Sequence, residues 1–338
     1  MIEIYPAYTS DPQGGSKNPA TLLKETLGLE IISVASGRSA LLLAIQALGL
    51  SRQDEILVPP FISQCVLSAL SRSAFPTLTP SVRTKAVMVL HHFGFPQDMA
   101  AIEAVARKNQ WAIVNNAAHA LLTKIDGHSI LEWGDVSAVS FSKFYPCVLG
   151  GGVFARRKDL QEKVHRKLEQ KNPKDQSRAN EAFEIMRKAR VGLLKDDAGF
   201  EVSKIFGCLP DLLSLPEGVS KALPADAGEA SQDLEHRKKI LAYFQECFPQ
   251  HVPKIAEGTD IAPVAVPVRM PGNIADKLSA LIKTRFNVDA PVLHFDFNCN
   301  LLKPDYQKAL IIGCHSQWNM GLVQKIGESI KDTMYERI

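Results

Sequence analysis

Hydrophobic positions in the first half of the chain come in short blocks, separated by polar breaks marked with glycine or proline. Leu41 to Leu48 is apolar almost all round, which predicts a buried helix opened by Ser36-Gly37-Arg38-Ser39-Ala40. Glu55 to Val58 predicts a short strand stopped by Pro59-Pro60, and Val66 to Leu70 a short helix. Ala86 to Leu90 is an unbroken apolar run, the pattern of a parallel strand buried on both faces. Asp98 offers an N-cap to a helix over Met99 to Lys108, whose alanines, Ile102 and Val105 form the inner face. Trp111 to Val114 and Ser137 to Phe141 predict two further strands. Such β-α alternation predicts a mainly parallel α/β sheet with ligands at the carboxyl ends of its strands. Asn115-Asn116, Ser140, Lys143 and the loop beginning at His91 all fall at such ends.

The pattern changes from about 157 to 245. Basic helical segments, Arg157 to Lys171 and Ala179 to Arg190, lead into a stretch bearing proline and glycine from Pro210 to Gly228. A helix over Gln232 to Phe248 follows. The last third carries short strand-like pieces, Ala262 to Val268 and Pro291 to Phe295, and terminal helices, which suits a small α+β domain. The expected division is a large α/β domain over 1–230, with a helical insertion at about 158–230, and a small domain over 231–338.

Composition narrows the function classes. A chain of 338 residues that is 46% hydrophobic and 22% charged can bury a large core. The net charge is +3, from 39 basic and 36 acidic residues well mixed, which argues against a nucleic-acid surface but allows an anionic substrate. Six cysteines are scattered without CxxC or zinc spacing, as expected of reduced thiols in a cytoplasmic protein. Met1 to Pro6 lacks the basic and apolar regions of a signal peptide, and no apolar run is long enough to cross a bilayer.

The candidate chemistry centres on Ser140-Phe141-Ser142-Lys143 and the following Gly150-Gly151-Gly152. A lysine just past a β-prone run stands at a strand end, and glycines beyond it allow a close backbone approach. Alternatives have little support. His91-His92, His119, His128 and His315 lack ligand spacing with carboxylates, there is no G-x-S-x-G elbow, and the glycine run is not a dinucleotide fingerprint. The basic run Lys163 to Lys174 reads as a solvated helix face.

Several segments, taken in order, resemble the DegT/DnrJ/EryC1/StrS family of pyridoxal phosphate sugar aminotransferases. They are Ser36 to Leu41, Asp54 to Pro59, His91 to Asp98, Asn116 to Ala120, Gly134-Asp135, and Ser140 through Gly151, with fainter matches at Arg237 to Phe244 and Gly313-Cys314-His315. The resemblance implies a fold-type I transferase and pyridoxal 5′-phosphate as cofactor. It implies a homodimer whose sites sit at the subunit boundary, with a nucleotide-linked keto-sugar and an amino acid donor as small-molecule substrates. It also implies roles. Gly37, Arg38 and Ser39 at a helix N-terminus, together with Ser140, would hold the phosphate. Lys143 would form the Schiff base and then shuttle protons. His119 would reach the cofactor's 3′-oxygen, and Asn116 would meet the ring nitrogen. Lys143 is the match counted back from the glycines. Counted forward from Gly134-Asp135 the position falls on Tyr145, which cannot form the bond.

The departures from the family pattern bear on the chemistry. Asn115-Asn116 replaces an acidic pair whose aspartate keeps the pyridine nitrogen protonated, and a buried cation without counter-charge is costly. Ser63 stands at an aromatic stacking position, for which Phe61 or Phe93 are the candidate substitutes, and the acidic residue that usually sits just before or between the glycines is absent, with Leu149 in a neighbouring place. Three readings follow: an active or slowed aminotransferase, a binding or regulatory protein of the same fold, and a pyridoxal phosphate enzyme of another reaction type.

Overall fold

The computed structural model describes residues 1–6, 18–193 and 199–335. The main sheet is built from β1 (Ile32–Val34), β2 (Glu55–Leu57), β3 (Phe75–Thr77), β4 (Thr84–Leu90) and β5 (Ala112–Asn116). After a small hairpin of β6 (Lys124–Ile125) and β7 (His128–Ser129), β8 (Val136–Ser140) and β9 (Gly151–Ala155) complete it. Its order is β1-β9-β8-β5-β4-β2-β3. The β2, β3, β4, β5 and β8 pairings are parallel, while β9 runs antiparallel to both β8 and β1. The expected mainly parallel sheet is therefore present, with one reversed strand.

The unbroken apolar run of β4 has its reason in two covered faces. Val87 and Val89 join one core with Met99, Ile102 and Ala106 of α4 (Met99–Asn109). Ala86 and Met88 join another with Leu41, Leu43 and Ile45, which lie on α2 (Gly37–Ala47), the second helix after α1 (Pro19–Leu27). The short α3 (Gln64–Leu70) leans on α2. Burial on both faces makes α2 apolar nearly all round, as its sequence indicated.

Past β9 come α5 (Lys158–Glu169), α6 (Asp175–Arg190) and α7 (Gly199–Cys208). Leu160 and Val164 of α5 pack with α2, whereas Phe183 and Met186 of α6 pack with Phe141, Phe144 and Leu149. This region therefore roofs the loop that carries Lys143. Next is α8 (Ala227–Cys247), which begins before Gln232 because the Asp226 carboxylate caps it, accepting from the Glu229 N–H at 3.0 Å. After β10 (Thr259–Asp260), the strands β11 (Ala265–Arg269), β12 (Val292–Asp296) and β13 (Tyr306–Gly313) form an antiparallel sheet in the order β11-β13-β12. It packs with α8, α9 (Gly272–Phe286) and α10 (Met320–Tyr335) around Phe244, Leu278, Ile326 and Trp318. No helix of the described residues is long and apolar enough to cross a membrane.

The first residues are tied to the last third. Ile2 N–H donates to the Asn287 carbonyl at 3.0 Å, and Asp289 N–H to that of Ile2 at 2.7 Å. The Glu3 carbonyl accepts from Trp318 Nε1 at 2.9 Å and His315 Nε2 at 2.8 Å, and Ile4 enters the same core. The Glu3 carboxylate meets Arg190 of α6 at 2.6 Å. These contacts deliver Tyr5 to the carboxyl edge of the main sheet.

Arg237 on α8 is 1% exposed. Its Nε bonds Asp233 at 2.5 Å and its Nη2 donates to the Phe144 carbonyl at 2.7 Å, one residue past Lys143. Arg237→Ala would strand that buried carbonyl, and its expected cost is about 3 kcal/mol, read as a fall in the urea midpoint. Arg237→Lys should recover only part, because an ammonium lacks the fork that serves both partners.

Candidate active site

Lys143 ends the short 3-10 turn Phe141–Lys143 that follows β8. Its Nζ lies over the Tyr5 ring, 3.5 Å from the centroid. Among the described residues no carboxylate stands within ion-pair reach of it. Burial, with Arg190 and Arg38 nearby, lowers its pKa from the ordinary 10.5 to about 8, although Cys65 and Glu3 oppose the shift. A neutral amine at accessible pH is what nucleophilic attack on a carbonyl needs. Capture of an aldehyde at Lys143 should therefore rise with pH, reach half its maximum near 8 and level off above about 9. Reductive trapping from pH 6 to 10 checks this, and a profile still climbing at 10 would contradict it.

His119 faces the same space. Its Nδ1 accepts from the Phe93 N–H at 3.3 Å, which leaves the proton on Nε2, 3.2 Å from Tyr5 Oη. The ring stacks on Phe93 at 5.3 Å and 16°. Burial foremost, and then the Lys143 charge, holds its pKa well below the usual histidine value, so it stays neutral. Phe93 adopts φ 54°, a left-handed backbone that presents its N–H to His119. Tyr5 has its pKa raised by burial and remains a phenol.

The two asparagines end β5 rather than following it, and neighbouring strand residues point to opposite faces. Asn115 donates to the carbonyls of Ile130 at 2.7 Å and Trp133 at 3.3 Å, an internal tie on the face shared with Ile113. Asn116 is 4% exposed, and its Oδ1 accepts from Ala118 N–H at 3.3 Å.

Ser140 and the start of α2 meet. A Cβ on Gly37 would come within 2.9 Å of Ser140 Cβ, and one on Gly151 within 2.4 Å of the Ser36 carbonyl carbon. The glycines thus let the end of β8, the start of β9 and the α2 N-terminus close together. The α2 serines form a chain: Ser39 N–H donates to Ser36 Oγ at 3.1 Å, the two hydroxyls pair at 2.9 Å, and Ser39 Oγ donates to the Leu209 carbonyl at 2.7 Å. Arg38 turns toward α7, donating to the Phe206 carbonyl at 3.1 Å with its guanidinium 4.3 Å above that ring. Gly37, Ser140, Lys143, His119 and Asn116 thus gather at one edge, while the side chains of Ser39 and Arg38 are engaged by the segment 206–209.

Phe61 stacks on His294 of β12 at 4.2 Å, and Ser63 Oγ pairs with Cys65 Sγ at 3.2 Å. Tyr145, the competing position, is 3% exposed. Neither Tyr5 nor the use of Arg237 is marked by a motif in the sequence. Tyr5 belongs to no spaced motif, and only the Met1 to Pro6 strap's contacts bring it here. Of the cavities, one of about 430 Å³ lined by Gln97, Ile125, Trp133, Lys254 and Asn298 does not include Lys143 among its walls.

A sequence profile of the DegT/DnrJ/EryC1/StrS aminotransferase family matches residues 78–189, the stretch that holds Asn116, His119, Ser140 and Lys143. Over that stretch the chain is similar to the DegT/DnrJ/EryC1/StrS aminotransferases. It is 32% identical over 167 residues to the dTDP-4-amino-4,6-dideoxy-D-glucose transaminase of Shigella dysenteriae, a match covering 43% of this chain and 44% of the relative. It is 31% identical over 130 residues to the UDP-N-acetyl-3-dehydro-alpha-D-glucosamine 3-aminotransferase of Acidithiobacillus ferrooxidans, covering 32% and 35%. The chain thus spans less than half the length of these curated relatives. The likeness of fold extends further than the sequence match. The PMP form of the putative sugar aminotransferase Spr1654 from Streptococcus pneumoniae superposes with a TM-score of 0.72 at 13% identity, over 99% of both chains. The fold-type I architecture expected from the motifs is thereby found, with the sequence likeness to the family lying over residues 78–189.

Proposed function

We propose that this protein is a pyridoxal phosphate-dependent aminotransferase that moves an amino group from an amino acid donor to a nucleotide-linked keto-sugar. The observation that carries the reading is Lys143: a half-buried lysine with no acid partner among the described residues, its pKa lowered to about 8, at the carboxyl end of β8. The surrounding groups fit the cofactor. The α2 N-terminus at Gly37 and the Ser140 hydroxyl supply donors for a phosphate, whereas the Arg38 and Ser39 side chains on the same turn are held by the segment 206–209 and would have to be released to join them. His119 offers a neutral Nε2–H toward a ring oxygen, and Asn116 a neutral partner for a ring nitrogen.

When bound, the cofactor supplies an electron sink for a carbanion at the substrate carbon. The chain's own residues do the rest. Lys143 provides the nucleophile and, once displaced by a substrate amine, carries a proton at Nζ. His119 orients by its fixed tautomer, and the helices α6 and α7 help to exclude water from the loop. Family likeness supports a homodimer and small-molecule substrates. The six cysteines, all free thiols, support a cytoplasmic setting. The test is an amino-transfer assay with glutamate or glutamine against nucleotide-linked keto-sugars. Amination of at least one acceptor is expected, and none across a broad panel with bound cofactor would overturn the reading.

A further inference from the structure

We propose that Tyr5 is a latch on the Lys143 amine, a side chain that closes the site and swings aside when a ring-bearing aldehyde binds. The proposal rests on the reading of Lys143 as the cofactor lysine. The Tyr5 ring has the Lys143 Nζ on its face at 3.5 Å. Its Oη lies 3.2 Å from His119 Nε2, and the two ring centroids are 5.6 Å apart. An aromatic ring joined to Lys143 with an oxygen directed at His119 needs that same space. The two rings exclude each other, so loading the site displaces Tyr5.

The strap is built so that this displacement is local. Its anchors are Ile2, Glu3 and Ile4, held by Asn287, Asp289, His315, Trp318 and Arg190. None of these holds the Tyr5 side chain. Among the described residues that ring is kept by one cation–π contact and one neutral hydrogen bond, each of modest strength, and by packing against the edges of both cores. The buried phenol keeps its proton, so no tyrosinate pairs with the ammonium. A bias of at least about tenfold toward the closed arrangement follows, and it would lower apparent affinity for the aldehyde by the same factor. The backbone anchors in the C-terminal core also make the latch sensitive to movement of that core against the main sheet.

The test uses the full chain as wild type, Tyr5→Ala and Tyr5→Phe. Lys143 is pulse-labelled with formaldehyde and cyanoborohydride, and peptide mass spectrometry compares it with the exposed Lys167. In parallel, pyridoxal phosphate is added, reduced with borohydride and mapped. Tyr5→Ala should label Lys143 about tenfold faster with Lys167 unchanged, and Tyr5→Phe, which keeps the ring, about twofold faster. Labelling of a folded Tyr5→Ala no faster than wild type overturns the latch, even if pyridoxal phosphate still attaches to Lys143. Faster formaldehyde labelling with no pyridoxal phosphate on Lys143 in any variant upholds Tyr5 as a cover on the amine and overturns both the cofactor reading and the displacement by a ring-bearing aldehyde. Should Tyr5→Ala fail to fold, Glu3→Ala, which frees the strap from Arg190, carries the same prediction to a smaller degree, and unchanged labelling in it counts against the latch.

Discussion

Replacing Lys143 with alanine should lower amino transfer by about three orders of magnitude or more, and leave added pyridoxal phosphate without a covalent anchor. The reason is the loss of both nucleophile and proton carrier at one atom. The other lysines with shifted pKa values cannot stand in. Lys24 and Lys238 are raised by bonds to Glu30 and to Asp260, whereas Lys143 is lowered by burial. Lys143→Arg should be equally inactive, because a guanidinium keeps its proton. Equal loss in both variants, with unchanged circular dichroism and melting temperature, separates the chemistry from the fold. Near-normal turnover in either would remove Lys143 from the mechanism.

Asn116→Asp should raise amino transfer by roughly 10- to 100-fold, equivalent to about 1.4–2.8 kcal/mol of transition-state stabilisation. A carboxylate at the end of β5 can keep accepting from Ala118 N–H while adding the charge that holds a ring nitrogen protonated. Without cofactor, the same charge is buried at a site 4% exposed, and the variant should melt below the wild type. Added cofactor should narrow that gap, because the charge then gains its partner. Steady-state kinetics and thermal melts with and without pyridoxal phosphate read both effects. A fall in turnover would mean that the site works with a neutral nitrogen partner.

Local pattern made much of the large sheet readable. The apolar run of β4, the all-round apolar α2 and the Asp98 cap each follow from a face that must be buried or an N–H that must be answered. What was hidden depends on contacts between distant parts of the chain. β9 opens on glycines, which have weak strand preference, and it exists because Gly151 lets Ser36 approach. Ser39 resembles a phosphate ligand by position, yet its hydroxyl is taken by Leu209, 170 residues away. Arg237 reads as one more helix cation, and only folding brings it under the Lys143 loop. Tyr5 lies 114 residues from His119 and outside every motif, so nothing local could point to it. The strand ends that gather the candidate site residues were legible, whereas the side chains that hold, roof and cover them were not.

The central claim is that the Lys143 amine is the cofactor's point of attachment. The most direct measurement is peptide mass spectrometry of the wild-type chain after incubation with pyridoxal phosphate at pH 8 and borohydride reduction. The account predicts a single dominant pyridoxyl-phosphate adduct on Lys143, absent when borohydride is omitted. Modification spread over surface lysines with Lys143 spared, or a dominant adduct elsewhere, would contradict it.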